Sequence, residues 1–372
     1  GQSYGWEHPL WFAGDAGKAV DEFGFERQNW FEPVGAECKA LREDVGIIDV
    51  SNFAKYEIMG SGAGEWLDQV VANHVPREVG KSCLAPLLGL RGGIAGDFTI
   101  TKRDEDHFMM FGSGIAERYH KRFFDTVPRA DSVTFKSRTD ELAGFNVAGP
   151  RSRELLERLT NADLSNEAFG FFQSRDINVA GVDALALRVS FTGDLGWEIY
   201  APAMRQLELY DALLEAGKDL GARAVGSRSL LSLRVEKGYG SWGREYSPEY
   251  WPHEVGLERL VKLDKPSFVG RDAYLKIKDK PAREKLVMLE IEVANADAVG
   301  GEPVFTIEGK AAGRITSGAY GHHVGKSLGL AMIRTEHLSD AAEFDVAILG
   351  LPHRARLMDK PPFDPAGKRL RG

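Results

Sequence analysis

Apolar residues recur along this chain with two periods. The stretch ECKALREDVGIIDV, from Glu37, spaces them as a helix does up to Gly46, which predicts a helix running into a strand. Residues 55–60 continue as strand. Gly62–Val71 reads as an amphipathic helix through Trp66, Leu67, Val70 and Val71, and 93–101 and 107–112 read as paired strands. Gly149-Pro150 opens another helix, with Leu155, Leu156 and Leu159 on one side; a strand at 184–190 and a helix at 203–216 follow. Strand and helix alternate loosely, not in strict βαβ order, so the fold class is α+β and not doubly wound.

Two regions depart from that pattern. Residues 1–35 are dense in aromatics (Tyr4, Trp6, Trp11, Phe12, Phe23, Phe25, Trp30, Phe31) without periodicity, which predicts an arm docked on the first domain. KIKDKPARE, residues 276–284, has the composition of a domain connector. Beyond it, short strands spaced by Gly turns predict a small C-terminal β-barrel, so the expected division is an arm over 1–35, an α+β region over 36–278, which a family resemblance implies to be two interleaved domains, and a barrel over 279–372.

Composition narrows the function classes. A chain of 372 residues that is 43% hydrophobic and 27% charged is ordinary for a globular protein. A formal charge of −8 gives no basic footprint for nucleic acid or anionic lipid, so small-molecule partners are expected. Cys38 and Cys83 stand far apart in unlike contexts and imply neither a disulfide framework nor a zinc site. With no apolar run near 18 residues and no signal-peptide pattern, the expected location is cytoplasmic, or the mitochondrial matrix. The opening YGWEHPLWFA reads like the interior of a longer sequence.

Three segments could carry chemistry. In SFTGDLGWEIY, Glu198 lies between Trp197 and Ile199; a carboxylate there suits a planar N–H edge beside an aromatic wall, although a half-buried strand often carries one outward Glu. Asp97 follows a Gly-rich turn in RGGIAGDFTITK, where it either orients an amine and manages a proton or caps its own turn. SLRVEKGYGSWGREY gathers Arg234, Glu236, Tyr239, Trp242 and Arg244; on a strand Arg234 and Glu236 share a face, and either they form a salt bridge or Arg234 meets an anionic or carbonyl group while Trp242 covers a flat ring. The histidines show no ligand spacing, and His322-His323 are adjacent, so no metal site is expected. Gly112-Ser113-Gly114 lacks the rest of a dinucleotide fingerprint.

Taken in order, VGIIDVSNFAKYEIMG (45–60), GGIAGDFTITK (92–102), FTGDLGWEIY (191–200), SLRVEKGYGSWG (232–243), PHEVGL (252–257), FVGRDAYL (268–275) and AGRITSGAYGHHVGKSLGLAMI (312–333) resemble the glycine-cleavage T-protein family of folate-dependent aminomethyltransferases. YGWEHPLWFA and FERQNWFEPVGAECKALRE resemble the segment joining the flavin and folate halves of dimethylglycine and sarcosine dehydrogenases or oxidases. The resemblance implies three domains around a central folate channel. It also implies transfer of a one-carbon unit, released by a flavin-dependent partner from a methylated amine, to tetrahydrofolate. By that likeness Asp97 is the acid beside the folate nitrogens and Glu198 pairs with the pterin edge. Arg234, Trp242, Phe191 and Trp197 are expected around the cofactor.

The chain departs from the family pattern at Leu84 and Gly89 ahead of the glycine turn, at Gly96 where the T-protein has the first of two Asp, and at Phe191 where a Tyr is usual. These leave open a direct methyl transfer from an onium or methoxy donor. A non-catalytic folate-binding accessory role is a third option, but the Cys and Gln of those proteins are missing from KGYGSWGRE.

Overall fold

A computed structural model describes residues 1–3, 6–14, 19–339 and 342–372. Tyr4, part of the expected arm, lies outside the described residues. The predicted helix and strand at the start of the fold are Phe31–Glu43 and Gly46–Asp49. They enter a six-stranded sheet in the spatial order Ser174–Val179, Val182–Leu187, Gly196–Pro202, Leu142–Ala148, Gly46–Asp49 and Arg223–Val225. Only the last pair is parallel. The whole segment from Ala54 to Ser137 is inserted after its earliest strand.

That insert forms its own antiparallel five-stranded sheet, ordered Ser82–Leu88, Ile94–Asp104, His107–Gly112, Ala54–Met59 and Thr134–Ser137. The helix Ala63–Val70 packs Trp66, Leu67 and Val70 on one face of it, with Phe98, Ile100 and Phe108. The other face turns toward the six-stranded sheet. Met109 and Phe111 meet Leu185, Leu187 and Tyr200 there, and the Phe111 and Tyr200 rings stack with centroids 4.3 Å apart. The C-terminal unit is a closed six-stranded barrel from Glu284 to Met358. The α+β fold with a terminal barrel thus agrees with the periodicities, which report burial on one face of each element.

The aromatic arm is docked only in part. The Pro9 and Leu10 carbonyls accept the Ser227 and Arg228 amides, the Phe12 amide donates to Glu37, and Arg27 pairs bidentately with Asp297 on the barrel. Phe23 and Phe25 remain exposed. The stretch following the barrel also departs from its assignment: residues 363–372 leave the barrel and return to the first half, with Arg188 donating to the Leu370 and Arg371 carbonyls.

Arg42 joins these parts. It is fully buried and donates to Asp194 at 2.5 Å, to Glu236 at 2.8 Å and to the Thr192 and Leu233 carbonyls, while its guanidinium lies 3.4 Å from the Phe363 ring centroid. Glu236 in turn accepts the His323 amide of the barrel. A helix, a loop, a second helix, the barrel and the C-terminal return therefore share one charge cluster. Removing the cation leaves Glu236 with backbone amides alone and Asp194 with Arg369 alone, which costs roughly 3–5 kcal/mol. Arg42→Met should lower the urea midpoint accordingly; a loss below about 1 kcal/mol, the size of a surface pair, would show that the cluster does not bear on stability.

Candidate functional site

The inner faces of the two sheets carry the two carboxylates singled out in the sequence. Asp97 lies within the strand Ile94–Asp104, not in the glycine turn before it. Strand alternation puts it on the face of Thr99, whose neighbour across the ladder is Phe111. Its Oδ1 is buried and has no hydrogen-bond partner. Burial pushes its pKa up to about 6, opposed only by its own amide. No cation lies within salt-bridge distance of it among the described residues, and its own backbone amide is the one donor that steadies the charge.

The neighbours of this strand define the surroundings. The Ile94 amide donates to the Tyr250 carbonyl, bringing the 242–250 segment alongside. Trp242 bridges to Tyr246, and the Asp97 charge helps raise the Tyr246 hydroxyl after burial does so. Trp242 stacks on Tyr119 at 5.8 Å and lies 5.3 Å from the His120 ring. Gly96 is required by this packing: a Cβ there would sit 2.9 Å from His120 Nε2 and 2.7 Å from the Phe98 ring. His120 is fully buried with both ring nitrogens unpartnered, and burial pushes it down to about 4, so it is neutral near pH 7.

Glu198 projects from Gly196–Pro202 on the face of Tyr200, whose hydroxyl donates to it at 2.7 Å. Burial pushes the carboxyl up to about 7, opposed by that hydrogen bond. Directly opposite in the ladder is Asn146, 2% exposed, whose Oδ1 has no partner. Two acceptors thus share one inner face. The sequence reading missed Asn146, because only the register places it beside Glu198.

Two expected contributors point elsewhere. Trp197, one residue from Glu198, is on the opposite face, fully buried against Phe169 and beneath Arg188. The alternation that turns Glu198 inward turns the indole outward, so Trp197 forms no wall beside it. Arg234 lies on the helix Ser227–Glu236, not on a strand, and its fork is filled by Glu245 at 2.9 Å, the Tyr239 carbonyl at 2.8 Å and Ser317. It therefore buttresses the Trp242 loop against the barrel instead of meeting a ligand, and Glu236 turns away to Arg42. Phe191 is half-buried and stacks on Tyr239 at 6.0 Å. Its loop turns at Gly193, whose φ of +85° suits glycine and whose Cβ position Lys237 crowds.

A cleft of about 600 Å³ lies elsewhere, lined by Lys81, Lys102, Arg103 and Arg175. Arg103 is at the other end of the Asp97 strand, roughly 20 Å away, and that cleft contains none of the residues above. Among the described residues no group of three or more His, Cys, Asp or Glu could hold a metal.

Comparison with known proteins decides the family. Residues 1–265 match the GCVT N-terminal domain and residues 284–364 the glycine cleavage T-protein C-terminal barrel domain. The chain belongs to the glycine cleavage T-protein family. An aminomethyltransferase of Thermoanaerobacter sp. is 30% identical over 92% of this chain and 93% of its own length. Mouse mitochondrial dimethylglycine dehydrogenase is 34% identical over 98% of the chain, and 4-methylaminobutanoate oxidase (formaldehyde-forming) of Paenarthrobacter nicotinovorans is 34% identical over all of it. The chain spans less than half the length of these last two, 42% and 45%. The crystal structure of aminomethyltransferase T from Bartonella henselae superposes with a TM-score of 0.84 over 98% of this chain and 94% of its own, at 21% identity, and shares the fold. No helix among the described residues is long and apolar enough to cross a membrane.

The raised Glu198 pKa has a stability consequence. Its neutral form is favoured in the folded state, so its contribution is fully present below about pH 4.5 and is lost as pH rises through about 7. Glu198→Gln should therefore gain on the wild type at pH 8, by up to about 3 kcal/mol, and match it near pH 4.5. Equal differences at both pH values in urea titrations would contradict the burial argument.

Proposed function

We propose that this T-protein family chain transfers to tetrahydrofolate the one-carbon unit of an iminium formed when a flavin-dependent partner oxidises a methylated amine, giving methylenetetrahydrofolate. The observation that supports it best is the opposition of two differently equipped inner faces. One presents Glu198, which accepts the Tyr200 hydroxyl, beside Asn146, whose Oδ1 has no partner; the other presents Asp97 with an unpartnered oxygen. The acceptor pair suits the planar N–H edge of a pterin, and the orphaned Asn146 Oδ1 is the kind of buried atom that such a ligand satisfies.

In this reading Glu198 and Asn146 orient the folate, and Asp97 handles the proton. Tetrahydrofolate supplies the two nitrogen nucleophiles. From an iminium donor the balance is one methylene moved to folate, two N–H protons given up, one leaving with the secondary amine and one released. Such a reaction needs proximity and a well-placed base more than a strong protein nucleophile. Asp97, titrating near 6, is mostly ionised at pH 7 and able to accept that proton. Trp242 and the Phe191–Tyr239 pair line the donor side with rings in place of hydroxyl contacts.

Two of the relatives named above are amine-oxidising enzymes more than twice this length, which supports a donor such as dimethylglycine or sarcosine and a flavin-dependent partner domain or subunit. The ring-lined donor side also supports a second reading, direct methyl transfer from an onium donor to give methyltetrahydrofolate. The folate product distinguishes the two, since only the first leaves a methylene bridge.

Anaerobic calorimetry with tetrahydrofolate tests the site without the donor. One site per chain at micromolar affinity is expected; no binding at millimolar ligand would withdraw the reading. Glu198→Ala should weaken that binding about 10- to 150-fold, the loss of one buried charge-assisted contact, and unchanged affinity would remove the pterin role. Asp97→Asn should cut turnover at least about 100-fold while changing folate affinity little, as single-turnover assays would reveal.

A further inference from the structure

The strand Ser174–Val179 is the outermost of the six-stranded sheet, and its one ladder is with Val182–Leu187 on the inner side. Its outer edge is covered only at the start, where the Ser174 amide donates to the Gly80 carbonyl and Lys81 bridges to Gln173. Backbone groups alternate in direction along a strand, so the amides and carbonyls of Asp176 and Asn178 point outward like the Ser174 amide, past the end of that bridge. Among the described residues no strand pairs with them. Such a row of free donors and acceptors is a template for another extended chain.

The cleft of about 600 Å³ opens on this edge, lined by Ser174, Arg175 and Asp176 from the strand and by Lys81, Lys102 and Arg103 from the inserted domain. A second cleft, of about 440 Å³, shares Arg103 and Asp176 and continues past Asn178. In a chain of formal charge −8, the first cleft sets four cations against two carboxylates, Glu167 and Asp176. Lys81 and Arg175 are exposed, and the Arg175 guanidinium donates to the Ala168 carbonyl. Arg103 pairs with Asp176 where both are partly exposed, so an incoming carboxylate can compete for it, and its buried Nε has no partner. Charged side chains on an edge strand also discourage pairing; an excess of one sign turns away basic chains and admits acidic ones.

We propose that this edge docks an extended acidic segment of a partner protein, which adds as a further strand beside Asp176 and Asn178 and sets its carboxylates among Lys81, Lys102, Arg103 and Arg175. The backbone ladder supplies affinity and the cations supply selectivity for acidic over basic sequences. This interaction goes beyond the folate reading and does not depend on it.

The test is fluorescence anisotropy on the full chain with short labelled peptides. A peptide of alternating glutamate and threonine should bind at least about tenfold more tightly than its lysine–threonine counterpart, and by the same margin more tightly than the glutamate peptide N-methylated throughout, which keeps the charge and removes the backbone donors. Lys81→Glu combined with Arg175→Glu, both at exposed positions, should weaken the glutamate peptide at least about tenfold with the urea midpoint of the chain unchanged. Hydrogen exchange at Asp176 and Asn178 should slow when the wild-type chain is saturated with that peptide. Equal affinity for the N-methylated peptide would reveal an anion patch without strand addition. Equal affinity for the lysine peptide or in the double variant, or no binding at millimolar glutamate peptide, would mean that the charges only blunt the edge. Each of these results would overturn the proposal.

Discussion

The structure depends on one buried cation. Arg42 has no exposed surface, and its donors are divided between two carboxylates and two backbone carbonyls that come from separate parts of the chain. A charge buried this deeply is tolerated only while its partners hold their places, so its desolvation penalty becomes a constraint on geometry. Asp194 fixes the loop bearing Phe191, Glu236 fixes the helix bearing Arg234, and Arg369 on the C-terminal return closes on Asp194 at 2.7 Å. The pieces that surround the two inner faces are thereby locked in one arrangement.

Against that satisfied cluster, the carboxylates of the inner faces stand out. Among the described residues Asp194 and Glu236 have cations, Asp97 has none, and Glu198 has only the Tyr200 hydroxyl. Burial alone pushes both of the latter upward, Asp97 to about 6 and Glu198 to about 7. Neutralising partners were available to the fold, since Arg234 lies on a helix beside this region, yet it is spent on Glu245. Poorly compensated acids in a region otherwise rich in ion pairs are the ones whose protonation burial alone controls.

Legibility in the sequence followed the range of the interaction. The helix and strand at 31–49, the paired strands around Asp97 and the C-terminal barrel were readable because period and turn chemistry are local. The interleaving of the five-stranded sheet within the six-stranded one was anticipated through the family resemblance, not through any spacing. Whether Arg234 and Glu236 share a face stayed open in the sequence because two residues of separation say nothing until the backbone period is known; the helix sends one to Glu245 and the other to Arg42. Trp197 was misjudged for the converse reason, since next-door residues on a true strand cannot share a face.

The sequence by itself determined which residues are apolar on one side of each element, where turns break the chain, which family it belongs to, and that Asp97 and Glu198 are the carboxylates to watch. Only the tertiary structure decided what each polar group meets. It set Asn146 beside Glu198 through a ladder register spanning more than fifty residues, filled the Arg234 fork, placed His120 beneath Gly96, and left Asp97 without a cation. Periodicity is a property of consecutive residues, whereas desolvation and charge pairing depend on neighbours that are remote in the chain.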